Sequence, residues 1–186
     1  MMLELNEVLL EGEPQTLSLM ARERRLTCLT GGTASRRLRW LHAMMGFWPV
    51  KSGYISIDGE PLTPASAPVF RQLMAFAPSR LEQVGQVTVY EPPSVQDVFS
   101  LQANRDLPIS NGILAEEVRR VAAGSSDQRA HLLAVASLLD KKILLVDDVL
   151  PAAMGYLRQK AAEGKIVVVT SDRPEVISAC DEVAEL

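Results

Sequence analysis

Two short runs in the last third of the chain, Ile143-Leu144-Leu145-Val146 and Ile166-Val167-Val168-Val169, most tightly limit what it can fold into. Neither run alternates apolar with polar residues. A strand with one face in water alternates, so each run reads as a strand buried on both faces. The stretch from Met154 to Glu163 between them carries a helical pattern, and Gly164 stops it. Strand, helix and second doubly buried strand make the crossover unit of a parallel sheet covered on both sides. At 186 residues the chain suits one domain with a sizeable core, and 47% hydrophobic against 23% charged residues is a globular composition.

The N-terminal part shows a different pattern. Leu3, Leu5 and Val8 to Leu10 predict a strand, Gly12 to Gln15 a turn, and Leu17 to Met20 a second strand. Leu26 to Thr30 predicts a short buried strand that ends at Gly31-Gly32. A helix follows, with Leu38, Leu41, Met44 and Met45 at three- and four-residue spacing and Gly46 as its stop. Gly53 to Ile57 with the turn Asp58-Gly59, a helix over Val69 to Leu73 and a strand over Met74 to Ala77 come next. From Ser79 to about Gly124 the pattern weakens. Glu91-Pro92-Pro93 is irregular, Ser94 caps a helix through Val95, Val98 and Leu101, and Ile113 to Ala122 forms another. Ser125 or Ser126 caps a helix through Leu132, Leu133, Ala136 and Leu139, and Pro174 to Ala179 is the last helix.

Composition excludes several classes of function. A net charge of -4 argues against a general nucleic-acid binder. No apolar run reaches the ~18 residues of a membrane span. Met1 to Asn6 lacks the charged and apolar regions of a signal peptide, so a cytoplasmic protein is expected. Cys28 and Cys180 sit in apolar stretches and read as buried free thiols. His42 and His131 have no metal-ligand spacing around them. Arg119-Arg120 reads as a solvated helix face.

A strand, a glycine turn and a helix, followed much later by a strand ending in Asp147-Asp148, is the layout of a phosphate-binding α/β protein. In this order and spacing the sequence resembles the nucleotide-binding subunit of ATP-binding cassette (ABC) transporters over nearly its whole length. Gly31-Gly32-Thr33-Ala34-Ser35-Arg36-Arg37-Leu38 stands at the phosphate loop. Lys51 to Leu62 matches the family's post-helix hairpin and is the most specific piece. Phe70 to Pro78 matches the strand before the glutamine loop, and Ser94 to Val98 the opening of the helical subdomain. Ser125-Ser126-Asp127-Gln128-Arg129 falls at the signature sequence. Ile143 to Asp148 is similar to the Walker B strand, Val167 to Asp172 to the switch-histidine strand, and Cys180 to Val183 to the closing segment. The resemblance implies an α/β P-loop NTPase-like ABC ATPase core. It would have a mostly parallel central sheet, an N-terminal antiparallel β portion and a reduced helical subdomain over about 79–124, all in one domain over 1–186.

The active positions depart from the family pattern G-x-x-x-x-G-K-[ST], in which glycines admit backbone N–H groups to the phosphates, lysine neutralises them and the hydroxyl holds magnesium. Gly31 is retained, but Arg36 stands at the second glycine, Arg37 at the lysine and Leu38 at the hydroxyl. Leu38 cannot coordinate a cation, and Arg37 is larger and planar. Ser79 stands at the glutamine position, Asp148 at the catalytic glutamate and Ser171 at the switch histidine. Both signature glycines are replaced, and Asp127 would direct a negative charge towards a partner's phosphates. No aromatic residue near Leu9 to Gly12 offers itself to adenine. Val149 to Ala153 lacks the family's dimer-contacting pattern.

Losses at nearly every catalytic position imply a fold kept after its chemistry was discarded. The expectation is a degenerate, non-hydrolysing interaction or regulatory subunit of a transport-related complex, at the inner face of a membrane through a permease. It would pair with itself, with a competent cassette subunit or with that permease. The alternatives are an ATPase active in a composite dimer, and a nucleotide or anion sensor using Arg36, Arg37 and Asp147. ATP and magnesium would be the cofactors if binding is retained, with Asp147 the metal residue. Arg36, Arg37 and Arg39 at a helix start are either an anion site or a solvated cluster. Asp147 and Asp148 are either residual metal ligands or acids satisfied by N–H groups or by an arginine such as Arg37. Trp40, Phe47 and Trp48 are either core or a partner surface.

Overall fold

The computed structural model describes residues 1–80, 110–123 and 126–186. The chain opens with strands β1 (Met2–Leu10), β2 (Leu17–Arg22) and β3 (Leu26–Thr30), then helix α1 (Ala34–Met44). Strands β4 (Val50–Ile57) and β5 (Glu60–Pro61), helix α2 (Ala67–Gln72) and strand β6 (Met74–Ala77) follow. Next come α3 (Asn111–Val121), α4 (Gln128–Leu138), β7 (Ile143–Val146), α5 (Met154–Ala162) after a 3-10 turn, β8 (Ile166–Thr170), α6 (Pro174–Ser178) and β9 (Glu182–Glu185).

Five strands form a parallel sheet in the order β6-β7-β8-β3-β9. Successive side chains of a strand point to opposite faces, so an all-apolar strand must feed two cores. It does so here. Ile143 and Leu145 of β7, with Ile166 and Val168 of β8, join β1, β2, β4 and α1 on one face. Leu144, Val146, Val167 and Val169 join α3, α4 and α5 on the other. The second sheet, β2-β1-β4-β5, is antiparallel, and Leu3, Leu5, Leu19 and Ile55 turn its buried face towards the first core.

Strand β4 begins earlier than the sequence pattern suggests, and Gly53 shows why a glycine sits inside it. The β1–β4 register shifts between Asn6 and Leu9. Gly53 has φ +76° there, and a Cβ would lie 2.3 Å from the Glu7 carbonyl oxygen.

One expectation needs correction. The cap of α4 is Asp127, not Ser126, because its backbone is extended and its carboxylate accepts the Arg129 N–H at 2.9 Å. Ser125, the other serine considered, lies outside the described residues, as do Glu91-Pro92-Pro93, the Ser94 to Val98 segment and most of the 79–124 subdomain. The closing segment also contains a fifth parallel strand, β9, with Val183 opposite Cys28. Glu182, Val183 and Glu185 are not buried, so β9 never showed the continuous apolar run that marked β7 and β8. Replacing the cap with alanine, Asp127→Ala, is expected to cost about 1 kcal/mol in urea denaturation, and Asp127→Asn a few tenths.

Candidate functional site

The loop between β3 and α1 turns on two glycines with positive φ, Gly31 at +79° and Gly32 at +58°. Thr33 then caps α1, its hydroxyl accepting the Arg36 N–H at 3.1 Å. The chain thus passes from a central strand through a tight turn into a helix N-terminus.

The loop's cations fold back on it. Arg37 is 2% exposed. Its guanidinium donates to the carbonyls of Gly31 and Gly32, both at 3.2 Å, and lies 3.4 Å from the Asp172 carboxylate. Arg36 runs across Gly32, where a Cβ would come within 2.8 Å of its Cδ. Its Nε pairs with Glu13 Oε2, and Arg39 pairs with Glu13 Oε1 at 3.1 Å. Arg39 also stacks on Trp48, 4.9 Å from the ring centroid, and the Trp48 indole N–H donates to the Glu11 carbonyl at 3.4 Å.

The acidic end of β7 is equally occupied. Asp147 is buried; Oδ2 accepts the Ser79 hydroxyl at 2.7 Å and Oδ1 the Thr170 hydroxyl at 2.9 Å. Thr170 Oγ1 in turn accepts the Asp148 N–H at 2.9 Å. Asp148, at φ +45°, places Oδ1 2.7 Å from Arg173 and Oδ2 2.7 Å from Arg129. Arg129 also holds Asp127, and its side-chain hydrogen bond keeps the Asp127 carboxyl below the ordinary range despite partial burial. Ser171 is fully buried, its hydroxyl accepting the Arg173 N–H at 3.1 Å. Between the loop and these acids lies a cleft of about 390 Å³ bordered by Ser35, Leu38, Ser79, Arg80, Arg129 and Asp148.

The structure thus brings the loop residues, Asp147, Asp148, Ser79 and Ser171 to one end of the parallel sheet. Sequence reasoning missed Glu13, Arg129, Arg173 and Thr170. An acid in the turn before β2 and two arginines downstream are visible as charges, but which acid each reaches is set by folding. Arginines do satisfy Asp148, but they are Arg129 and Arg173; Arg37, the example the sequence suggests, reaches Asp172 instead. Trp40 is core at 1% exposure, whereas Phe47 and Trp48 are 59% and 36% exposed. His42 lies edge-on to the rings of Phe47 and Phe76, and burial lowers its pKa. Cys28 is buried and Cys180 half-buried, and neither is in a disulfide. The neighbouring Cys180 and the Arg37 charge hold Cys28 below the usual thiol range, while Cys28 and burial push Cys180 above it.

Magnesium and ATP do not fit the residues present. Magnesium demands several oxygen ligands in near-octahedral array. Leu38 supplies none, both Asp147 oxygens accept hydroxyls, and both Asp148 oxygens face arginines. A triphosphate needs the loop's interior, where the Arg37 guanidinium and the Arg36 stem lie.

No protein-family model matches the sequence, and no curated protein does. Solved structures do match the fold. An ATP-binding subunit of an ABC transporter aligns over 100% of this chain and 86% of its own, at 17% identity and TM-score 0.72. A dimeric bacterial ABC transporter cassette aligns over 100% and 94%, at 16% identity and TM-score 0.72. The cbiO1 protein of Clostridium perfringens, part of the ABC transporter complex cbiONQ, aligns over 97% and 82%, at 15% identity and TM-score 0.67. Identities this low speak for architecture alone: the chain has the fold of an ABC transporter ATP-binding cassette.

Proposed function

We propose that the chain is an ABC-type cassette protein that does not hydrolyse ATP efficiently and serves as an interaction or regulatory subunit of a transport-related complex. The observation that carries this is the Asp148 carboxylate, held at 2.7 Å by Arg129 on one oxygen and by Arg173 on the other. A general base must have a lone pair within reach of the water it deprotonates. Here both carboxylate oxygens are engaged by guanidiniums, and the side chain is one methylene shorter than the glutamate of the family pattern.

The partner is a second copy, a competent cassette subunit or a membrane permease. Two of the structural neighbours are described as a dimeric cassette and as part of a transporter complex, which supports this. Phe47 and Trp48, both exposed beside Val50, add apolar surface of the kind partners cover. Among the described residues no helix is long and apolar enough to cross a membrane. A place at the membrane's inner face would therefore come through a permease.

The test is magnesium-dependent phosphate release by the purified protein, alone and mixed with a competent cassette subunit. The expected result is release no faster than the buffer blank for the protein alone and, in the mixture, no change on going to Asp148→Asn. Release by the wild type that disappears in Asp148→Asn overturns the proposal.

A further inference from the structure

The geometry points to Glu13 as a built-in anion that closes the phosphate loop from within the chain, taking the donors that an external phosphoryl group would need. Glu13 lies in the turn between β1 and β2, 23 residues before Arg36, yet its side chain is 1% exposed. A buried carboxylate is costly unless it is paired. This one is paired on both oxygens, with Arg36 Nε on Oε2 and Arg39 on Oε1. Both arginines belong to the first turns of α1, where the helix dipole already favours an anion. The carboxylate sits among the donors, cationic and close to a helix start, that recognise phosphate.

The arrangement also works as a cover. To reach Glu13, the Arg36 stem crosses Gly32, leaving no room there even for a Cβ. Arg39 is braced on the other side by the Trp48 ring, and its NH1 is 3.6 Å from where a Cβ on Gly12 would stand. The strap therefore runs from the β1–β2 turn over the loop's mouth to α1.

The strap leaves a donor over. Arg36 NH2 is buried and has no hydrogen-bond partner among the described residues. A carboxylate has two oxygens and both are engaged. A phosphoryl group carries three, so the spare N–H matches a tetrahedral oxyanion better than the occupant it has. The ligand class excluded by Glu13 is thus a phosphate or pyrophosphate group. This inference is independent of hydrolysis, because it concerns who occupies the donors.

An internal occupant lowers the apparent affinity for an external one by the fraction of molecules in which the strap is open. Titration of magnesium-free pyrophosphate by calorimetry, at low ionic strength, tests this on wild type, Glu13→Gln and the double variant Glu13→Gln/Arg36→Ala. The expected result is no saturable heat for wild type and saturable binding to Glu13→Gln, tighter by at least ~10-fold. The double variant should lose it. Near-UV circular dichroism checks that each variant is folded. If Glu13→Gln does not fold, Glu13→Asp takes its place. It keeps the charge but withdraws the carboxylate by one methylene, and the same tightening is expected in smaller measure. A folded Glu13 variant that binds no more tightly than wild type overturns the inference, and so does binding that survives loss of Arg36. Asp148-dependent phosphate release by the wild type would instead overturn the non-hydrolysing proposal while leaving this one to its own titration.

Discussion

Glu117→Ala is expected to lower the unfolding free energy by about 3–5 kcal/mol, the usual loss when one partner is deleted from a buried charge pair. Glu117 lies on α3 and is 6% exposed. Its Oε1 accepts the Tyr156 hydroxyl from α5 and faces the Lys160 ammonium at 3.5 Å, while Oε2 pairs with Arg120 at 2.8 Å. Lys160 itself is nearly buried and lies 5.2 Å from the Tyr156 ring centroid. Arg120 is largely in water, so its share is small. The cost falls on the Tyr156 hydroxyl, which loses its acceptor, and on the nearly buried Lys160, which among the described residues keeps only Glu163 at 3.4 Å. Burial pushes the Tyr156 phenol far up, so it stays a proton donor at every workable pH.

The pH dependence carries a definite sign. Burial on its own would raise the Glu117 pKa. The Tyr156 hydrogen bond and the Lys160 and Arg120 charges outweigh it, and the carboxyl is held below its ordinary value. A carboxyl depressed in the folded state contributes stability that is complete above its unfolded value of about 4.3 and is lost as pH falls through the folded one. Glu117→Gln keeps an acceptor for Tyr156 and should cost only about 1–3 kcal/mol at neutral pH. The gap between wild type and Glu117→Gln in urea midpoints should narrow as pH drops below about 4. A Glu117→Ala midpoint equal to wild type at pH 7 would show that the network contributes nothing.

Thr170→Val is the second large effect, expected at about 2–5 kcal/mol. The hydroxyl at the end of β8 is fully buried and serves both acids of the site. It donates to Asp147 and accepts the Asp148 N–H, each at 2.9 Å. Valine has the same shape and none of the polarity, so a buried carboxylate oxygen and a half-buried N–H both lose their partner. Thr170→Ser retains the hydroxyl and loses one methyl, a cost of about 1 kcal/mol. Denaturant unfolding of the pair separates polarity from packing. Equal losses in the two variants would mean that packing, not the hydrogen-bond hub, is what threonine supplies.

Legibility in the sequence followed burial symmetry. Ile143 to Val146 and Ile166 to Val169 were readable because a strand covered on both faces admits no polar residue. Strand β9 was not, because it mixes glutamates with Val183 and Ala184, and an edge position tolerates both. The helix after Gly31-Gly32 was readable from its apolar spacing, and the substituted loop positions from their place in it. The destinations of the arginines were not. The length and flexibility of the Arg36, Arg37, Arg129 and Arg173 side chains leave the acid each one meets undeclared in the sequence. Which one is met depends on segments that are adjacent in space and distant in sequence: Glu13 comes from the turn between β1 and β2, Asp148 from the loop after β7. Asp127 was read as a charge aimed at a partner because the family pattern has a glycine there. In the fold it caps α4 and holds Arg129.

The division of β7 and β8 between two cores has a mechanical consequence. Ile143, Leu145, Ile166 and Val168 never touch the compartment entered by their immediate neighbours in the chain. The parallel sheet therefore acts as a bulkhead. A void opened on the side of α1 should be felt on the α3–α5 side only through strain in the peptide groups of the bulkhead itself, so that two substitutions on opposite sides add and two on one side do not.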